Sequence, residues 1–135
     1  MNSDQDRRWI QRLQNFNKAF ALLERSVAIV KPSEIERAGI IQSYEVTFEL
    51  SWKLMKDYLD AQGLIAKSPR DAIKLAFQTE LVEDGHNWIK ALEDRNLTSH
   101  TYDEETAEHV LASVRTVYFP LLQAFARRMN DEAEQ

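Results

Sequence analysis

The chain has no cysteine, only three glycines and three prolines, and no long apolar run, and each shortage removes a class of protein. Without cysteine there is no disulfide framework, no thiolate metal site and no nucleophilic thiol, which suits a reducing compartment. So few glycines and prolines leave little material for long loops, and no glycine-rich phosphate loop occurs. No stretch approaches the roughly 20 apolar residues that span a bilayer. The N-terminal run Met1–Arg8 lacks the apolar core of a signal peptide. A composition of 44% hydrophobic and 29% charged residues is that of a globular domain. These features predict one cytoplasmic domain covering residues 1–135, with no membrane contact and no metal or other cofactor.

Charge is unevenly distributed. Residues 1–32 carry six Lys/Arg against three Asp/Glu, whereas the remainder carries 11 against 19, within a net charge of −5. An acidic chain is unsuited to coating nucleic acid broadly, because that requires many phosphate contacts. The basic first segment is either a solvated face or a docking surface for an acidic partner.

Apolar periodicity is helical throughout. Trp9, Leu13, Phe16, Phe20, Leu23, Val27 and Val30 step by four and three, predicting a helix from about Asp4 to Lys31, ended by Pro32. Ser33 and Glu36 have capping-box spacing and open a second helix to about Gln62, with Gly63 placed for a left-handed cap. This helix is apolar on two faces, so it must be central or lie at a subunit interface. Ser68-Pro69-Arg70-Asp71 starts a short helix with Ile73, Ala76 and Phe77 inward. A second short helix carries Trp88, Ile89 and Leu92 and ends at Arg95. Thr101 and Glu104 have the spacing of another capping box, opening a last helix to about Met129 that Pro120 should kink. The tail from Asn130 to Gln135 reads as frayed. The expected fold is all-α: an antiparallel up-and-down helical bundle, four-helix-bundle-like, with three long and two short helices, and dimeric through its surplus apolar surface.

Most chemistry-bearing patterns are missing. There is no metal-ligand spacing, His86 and His109 have no partner at helical spacing, and Asp103-Glu104-Glu105 fits a first helical turn. The segment Arg95-Asn96-Leu97-Thr98-Ser99-His100-Thr101-Tyr102 differs. A histidine can exchange a proton near neutral pH, an arginine matches a phosphate oxygen pair, and free amides at a helix start add to an anion site. On spacing alone, a phosphodiester site and an ordinary interhelical turn are equally good accounts.

The pattern Arg-x4-His-x-Tyr at Arg95, His100 and Tyr102 resembles the signature of HepT-type toxins in the HEPN superfamily. The segments 42–53, 68–71 and 94–102 are similar to the branch of that family known as nucleotidyltransferase substrate-binding proteins. The resemblance implies a homodimer whose paired Arg95 and His100 cleave RNA without a metal. In this scheme His100 acts as general acid or base, Arg95 stabilises transition-state charge and Asn96 orients one of them. It also implies a partner, a minimal nucleotidyltransferase antitoxin that transfers AMP from ATP to Tyr102. Glu49 and Lys53 fall within the similar segments, although one helical turn separates them and an ion pair accounts for both. The alternative is a non-catalytic subunit that presents nucleotide or another substrate to the transferase.

Overall fold

The computed structural model describes residues 3–100 and 103–135, with His100 described in its backbone alone. Every regular element among them is helical: α1 (Asp4–Val27), α2 (Glu34–Ala61), α3 (Pro69–Gln78), α4 (Gly85–His100), α5 (Glu104–Ser113) and α6 (Phe119–Ala133). A π-helical segment, Val114–Tyr118, joins α5 to α6, so the last three pieces form one long rod. The bundle of three long and two shorter helices therefore stands as expected. No described helix is long and apolar enough to cross a membrane.

Local chemistry sets the helix ends. The Ser33 hydroxyl accepts from Glu36 N at 3.1 Å while Glu36 accepts from Ser33 N at 2.8 Å, completing the expected capping box. Ser68 accepts from Asp71 N, with Pro69 at the first helical position. At the end of α2, Leu64 N donates to Leu59 O and Gly63 N to Asp60 O, the paired bonds of a Schellman cap. Gly63 has φ of +86°, and nothing lies within 4 Å of where a Cβ would stand. Gly63→Ala is therefore expected to cost about 1 kcal/mol through backbone strain alone, measured as a lower urea midpoint with an unchanged slope.

α2 is central, packing on α1, α3, α4 and α5, which accounts for its two apolar faces. Its Tyr44, Phe48, Leu54 and Met55 are fully buried. An aromatic chain runs through the core: Tyr118 stacks on Tyr44, Tyr44 touches Phe48, Phe48 touches Trp88, and Trp88 meets Phe125 edge-on. Burying side chains of this size contributes about 1.5–3 kcal/mol each.

Several expected boundaries shift. α1 stops at Val27 rather than Lys31, because the residue before Pro32 is pushed out of helical geometry and Val30 is left exposed. Arg115 then donates to the freed Ile29 carbonyl at 2.6 Å. Phe77 does not point inward. It is half exposed and covers Gly85, whose missing Cβ lets the ring approach. The irregularity due to Pro120 takes the form of the π-helical segment, where Phe119 N reaches back to Val114 O. The C-terminal residues are tied rather than frayed: Asn130 pairs with Asn17, and Glu132 accepts from Tyr58 at 2.9 Å.

Candidate functional site

Two boundary shifts redraw the motif. α4 continues through Arg95 to His100, so Arg95 lies inside a helix and not at its end. The expected short connection between Arg95 and His100 is absent; both lie on one helix. The final rod is capped not by Thr101 but by Asp103, whose carboxylate accepts from Thr106 N at 2.8 Å. Its first turn holds Glu104 and Glu105, so that helix start is already supplied with negative charge, which disfavours an added anion there. Glu104 instead pairs with Arg37 at 2.9 Å, joining α2 to α5. The side chain of His100, and Thr101 and Tyr102 entirely, lie outside the described residues.

The described half of the site is built where α4 crosses α2. Glu49 is its hub: the carboxylate accepts from Arg95 Nη1, from Trp52 Nε1 at 3.0 Å and from Lys53 Nζ at 3.3 Å. The Glu49–Lys53 ion pair is the one their helical spacing predicts. The Arg95 guanidinium stands 6.0 Å from the centroid of the Phe48 ring, and its side chain is only 17% exposed. Among the described residues, its buried Nε has no partner and its Nη2 makes no hydrogen bond. Since an arginine carries five donors, Glu49 aims the group while leaving most of its capacity unused.

Two further links anchor α4, one to α2 and one to the π-helical segment. Thr98 donates to Glu45 at 2.5 Å, and Tyr118 donates to Asp94 at 2.5 Å. Burial, then the hydrogen bond to Asp94 and its charge, push the Tyr118 hydroxyl well above its ordinary pKa, keeping it a donor. The Tyr44 hydroxyl donates to Ala91 O at 2.6 Å and is likewise raised, first by burial and then by Tyr118 and Asp94. Asn96 is exposed and turned about 100° around the helix from Arg95, so it takes no part in the Glu49 cluster. His86 and His109 are exposed, in keeping with a surface role. Glu45 and Thr98 were missed because ending α4 at Arg95 hid a helical signal, Arg95 and Thr98 being three residues apart on one face.

Burial raises the Glu49 pKa, but the hydrogen bonds from Trp52 and Lys53 and the charge and hydrogen bond of Arg95 outweigh it, so the net shift is downward. A depressed carboxylate stabilises the fold above its unfolded pKa, and that contribution disappears as pH falls through the folded value. The wild type is therefore expected to lose stability below about pH 4 more steeply than Glu49→Gln. Urea midpoints taken from neutral to acid pH check this, and parallel profiles would contradict it.

The geometry defines a helical-bundle protein with a carboxylate-aimed arginine at a helix crossing, close in sequence to a histidine and a tyrosine. The family model described as "Nucleotidyltransferase substrate binding protein like" matches residues 11–131, and the chain belongs to that family. It is 37% identical over 82 residues to "Probable ribonuclease HepT" of Haemophilus influenzae. That match covers 57% of this chain and 56% of the relative, so the chain spans about half the length of the curated protein it matches. A crystal structure of a Thermus thermophilus protein superposes with a TM-score of 0.75 at 30% identity, covering 89% of this chain and 99% of that one. A solved structure of a Haemophilus influenzae protein superposes with a TM-score of 0.74 at 28% identity, covering 91% of this chain and 99% of that one. Its structure is described as revealing the fold of a substrate-binding domain of a nucleotidyltransferase.

Proposed function

We propose that this chain is the helical partner of a minimal nucleotidyltransferase and, as a cytoplasmic homodimer, a metal-independent ribonuclease toxin silenced by AMP on Tyr102. The observation that carries the reading is Arg95: a mostly buried arginine, aimed by Glu49, with donors uncommitted among the described residues. Such a group stabilises charge developing on a phosphate more than charge already present, because it is held in place before the reaction. In the proposed step, His100 takes the proton of the substrate's 2′-hydroxyl, and that oxygen attacks the neighbouring phosphorus. The bond to the 5′-oxygen breaks, the leaving oxygen is protonated, and a cyclic phosphate remains. Asn96, exposed on α4, would meet substrate or the second protomer rather than Arg95. Lys53 shares Glu49 with Arg95 and offsets its negative charge.

Silencing would proceed through attack of the Tyr102 hydroxyl on the α-phosphorus of ATP, with pyrophosphate released. The added adenylyl group carries negative charge and bulk that would compete with RNA for Arg95. Co-expression with a minimal nucleotidyltransferase should give a stable complex and a mass increase equal to an adenylyl group, which Tyr102→Phe should lose. An unmodified wild-type chain, or modification persisting in Tyr102→Phe, overturns the silencing scheme.

The acidic surroundings favour one second reading. Glu45, Asp94 and Asp103 stand beside or near the motif, and a nuclease gains from a basic cleft. The non-catalytic reading makes the chain a subunit that presents nucleotide or another substrate to the transferase. RNA cleavage by the purified chain without its partner separates the two, since only the first reading predicts it.

A further inference from the structure

A second concave site lies away from Arg95, between the α3–α4 connection and the C-terminal rod. It is a cleft of about 550 Å³, within the roughly 300–1,000 Å³ typical of small-molecule sites. None of Glu45, Glu49, Asp94, Arg95 or Thr98 lines it. One wall is the apolar stripe Val117, Pro120, Leu121 and Ala124, at helical spacing along the rod, with Pro120 and Ala124 exposed and Val117 and Leu121 partly buried against the core. At its floor Trp88 and Phe125, each 2% exposed, meet edge-on at 5.6 Å, a rigid aromatic base.

Two irregularities of the backbone coincide with this cleft. The π-helical segment supplies Thr116 and Val117 to its wall, and single-turn π segments concentrate at functional sites. Glu80, on the rim, is the one non-glycine residue with positive φ among the described residues, at +64°. Its carbonyl is held by Arg128 Nη1 at 2.9 Å, so the left-handed turn is fixed in place. Strain of this kind persists only where the surroundings impose it.

The rim is acidic. Glu80, Glu83 and Asp84 face a single lining cation, Arg128, giving a formal charge of −2 from three negative and one positive group. Arg128 is already engaged by Glu132 at 2.9 Å as well as by the Glu80 carbonyl. Asn87 donates to Asp84 at 2.8 Å, which leaves its amide oxygen to accept. An apolar, aromatic-floored cleft with carboxylates and an amide oxygen at its mouth suits a ligand with an apolar body and a positive end.

We infer that this cleft binds a small organic cation, a primary or secondary amine on an aromatic body of about two rings. The ring system lies on Trp88, Leu121 and Phe125, and the ammonium lies among Glu80, Glu83 and the Asn87 amide oxygen. The site is independent of the Arg95 cluster and of any reaction there.

The test uses three naphthalene probes that share one ring system: 2-(1-naphthyl)ethylamine, the neutral 2-(1-naphthyl)ethanol and the anionic 1-naphthylacetate. Each is titrated into the ¹⁵N-labelled full chain. Amide shifts are expected at Leu81, Val82, Trp88 and Leu121, with the amine binding at least about fivefold tighter than the acid. Glu80→Gln/Glu83→Gln, at two exposed positions, should bring the amine down to the level of the alcohol and leave the alcohol unchanged. Ala124→Trp fills the cleft from an exposed helical position and should abolish all three. Equal binding of amine and acid, shifts that map elsewhere, or amine binding undiminished in Ala124→Trp would each overturn the assignment.

Discussion

Replacing Arg95 by alanine is expected to lower RNA cleavage by about 10²- to 10³-fold, the usual loss when one preorganised donor to a transition-state oxyanion is removed. In cells lacking the partner, the same change should relieve growth inhibition. The fold should tolerate it, because Glu49 keeps Trp52 and Lys53 as donors when the guanidinium is gone. Arg95→Lys is expected to remain poor. A lysine is a point charge without the planar fork, so it cannot hold Glu49 through one nitrogen and offer others to a phosphate. Glu49→Gln should fall between these and the wild type, since the amide oxygen still accepts from Arg95 but no longer carries the charge that orients it. His100→Ala should cost about 10²- to 10⁴-fold as the loss of a general acid or base. Initial rates on RNA, taken beside thermal midpoints, check the series. Full activity in a folded Arg95→Ala protein would end the ribonuclease reading and leave the substrate-presenting one.

Phe48→Ala is expected to produce the largest loss of stability, about 3–5 kcal/mol. Phe48 is fully buried, touches Tyr44 at 6.0 Å and Trp88 at 5.8 Å between ring centroids, and lies beneath the Arg95 guanidinium. Truncation leaves a cavity where α2 meets α4, and the rings on either side cannot close it without giving up their own contacts. For a chain of this length the melting temperature should drop by roughly 10–20 °C. Phe48→Leu keeps much of the volume and should cost less. The arginine rests on this ring, so Phe48→Ala should also loosen Arg95 and lower activity at temperatures where the variant is still folded. A loss below about 1 kcal/mol would mean that the site relaxes freely, and the packing account of the α2–α4 crossing would fail.

The helices were legible because their signals are local. Ser33 with Glu36, Ser68 before Pro69, and Gly63 at positive φ each act within a few residues of the boundary they set. The errors occurred where one local signal competed with another or with distant partners. Thr101 and Asp103 both have cap chemistry, and the carboxylate of Asp103 takes the Thr106 amide. Asn130 and Glu132 read as a polar tail because their partners, Asn17 and Tyr58, are distant in sequence. Phe77 followed the inward pattern of α3 but was drawn over Gly85, which only the approach of α4 places there.

The candidate site divides in the same way. Residue patterning was enough to establish that the chain is helical, where most helices begin, and that Arg95, Asn96, His100 and Tyr102 form one short segment similar to a known signature. It also placed Glu49 and Lys53 one turn apart on α2. The folded chain was needed to see that Glu49 is shared between Lys53 and Arg95, that Thr98 ties to Glu45, and that Arg95 lies within α4 over Phe48. Helix propensity and capping depend on neighbours along the chain, whereas the aim of a buried guanidinium depends on which helix crosses it. That crossing is set by how the aromatic rings of α2, α4 and α6 pack together, a many-body fit that no single segment encodes.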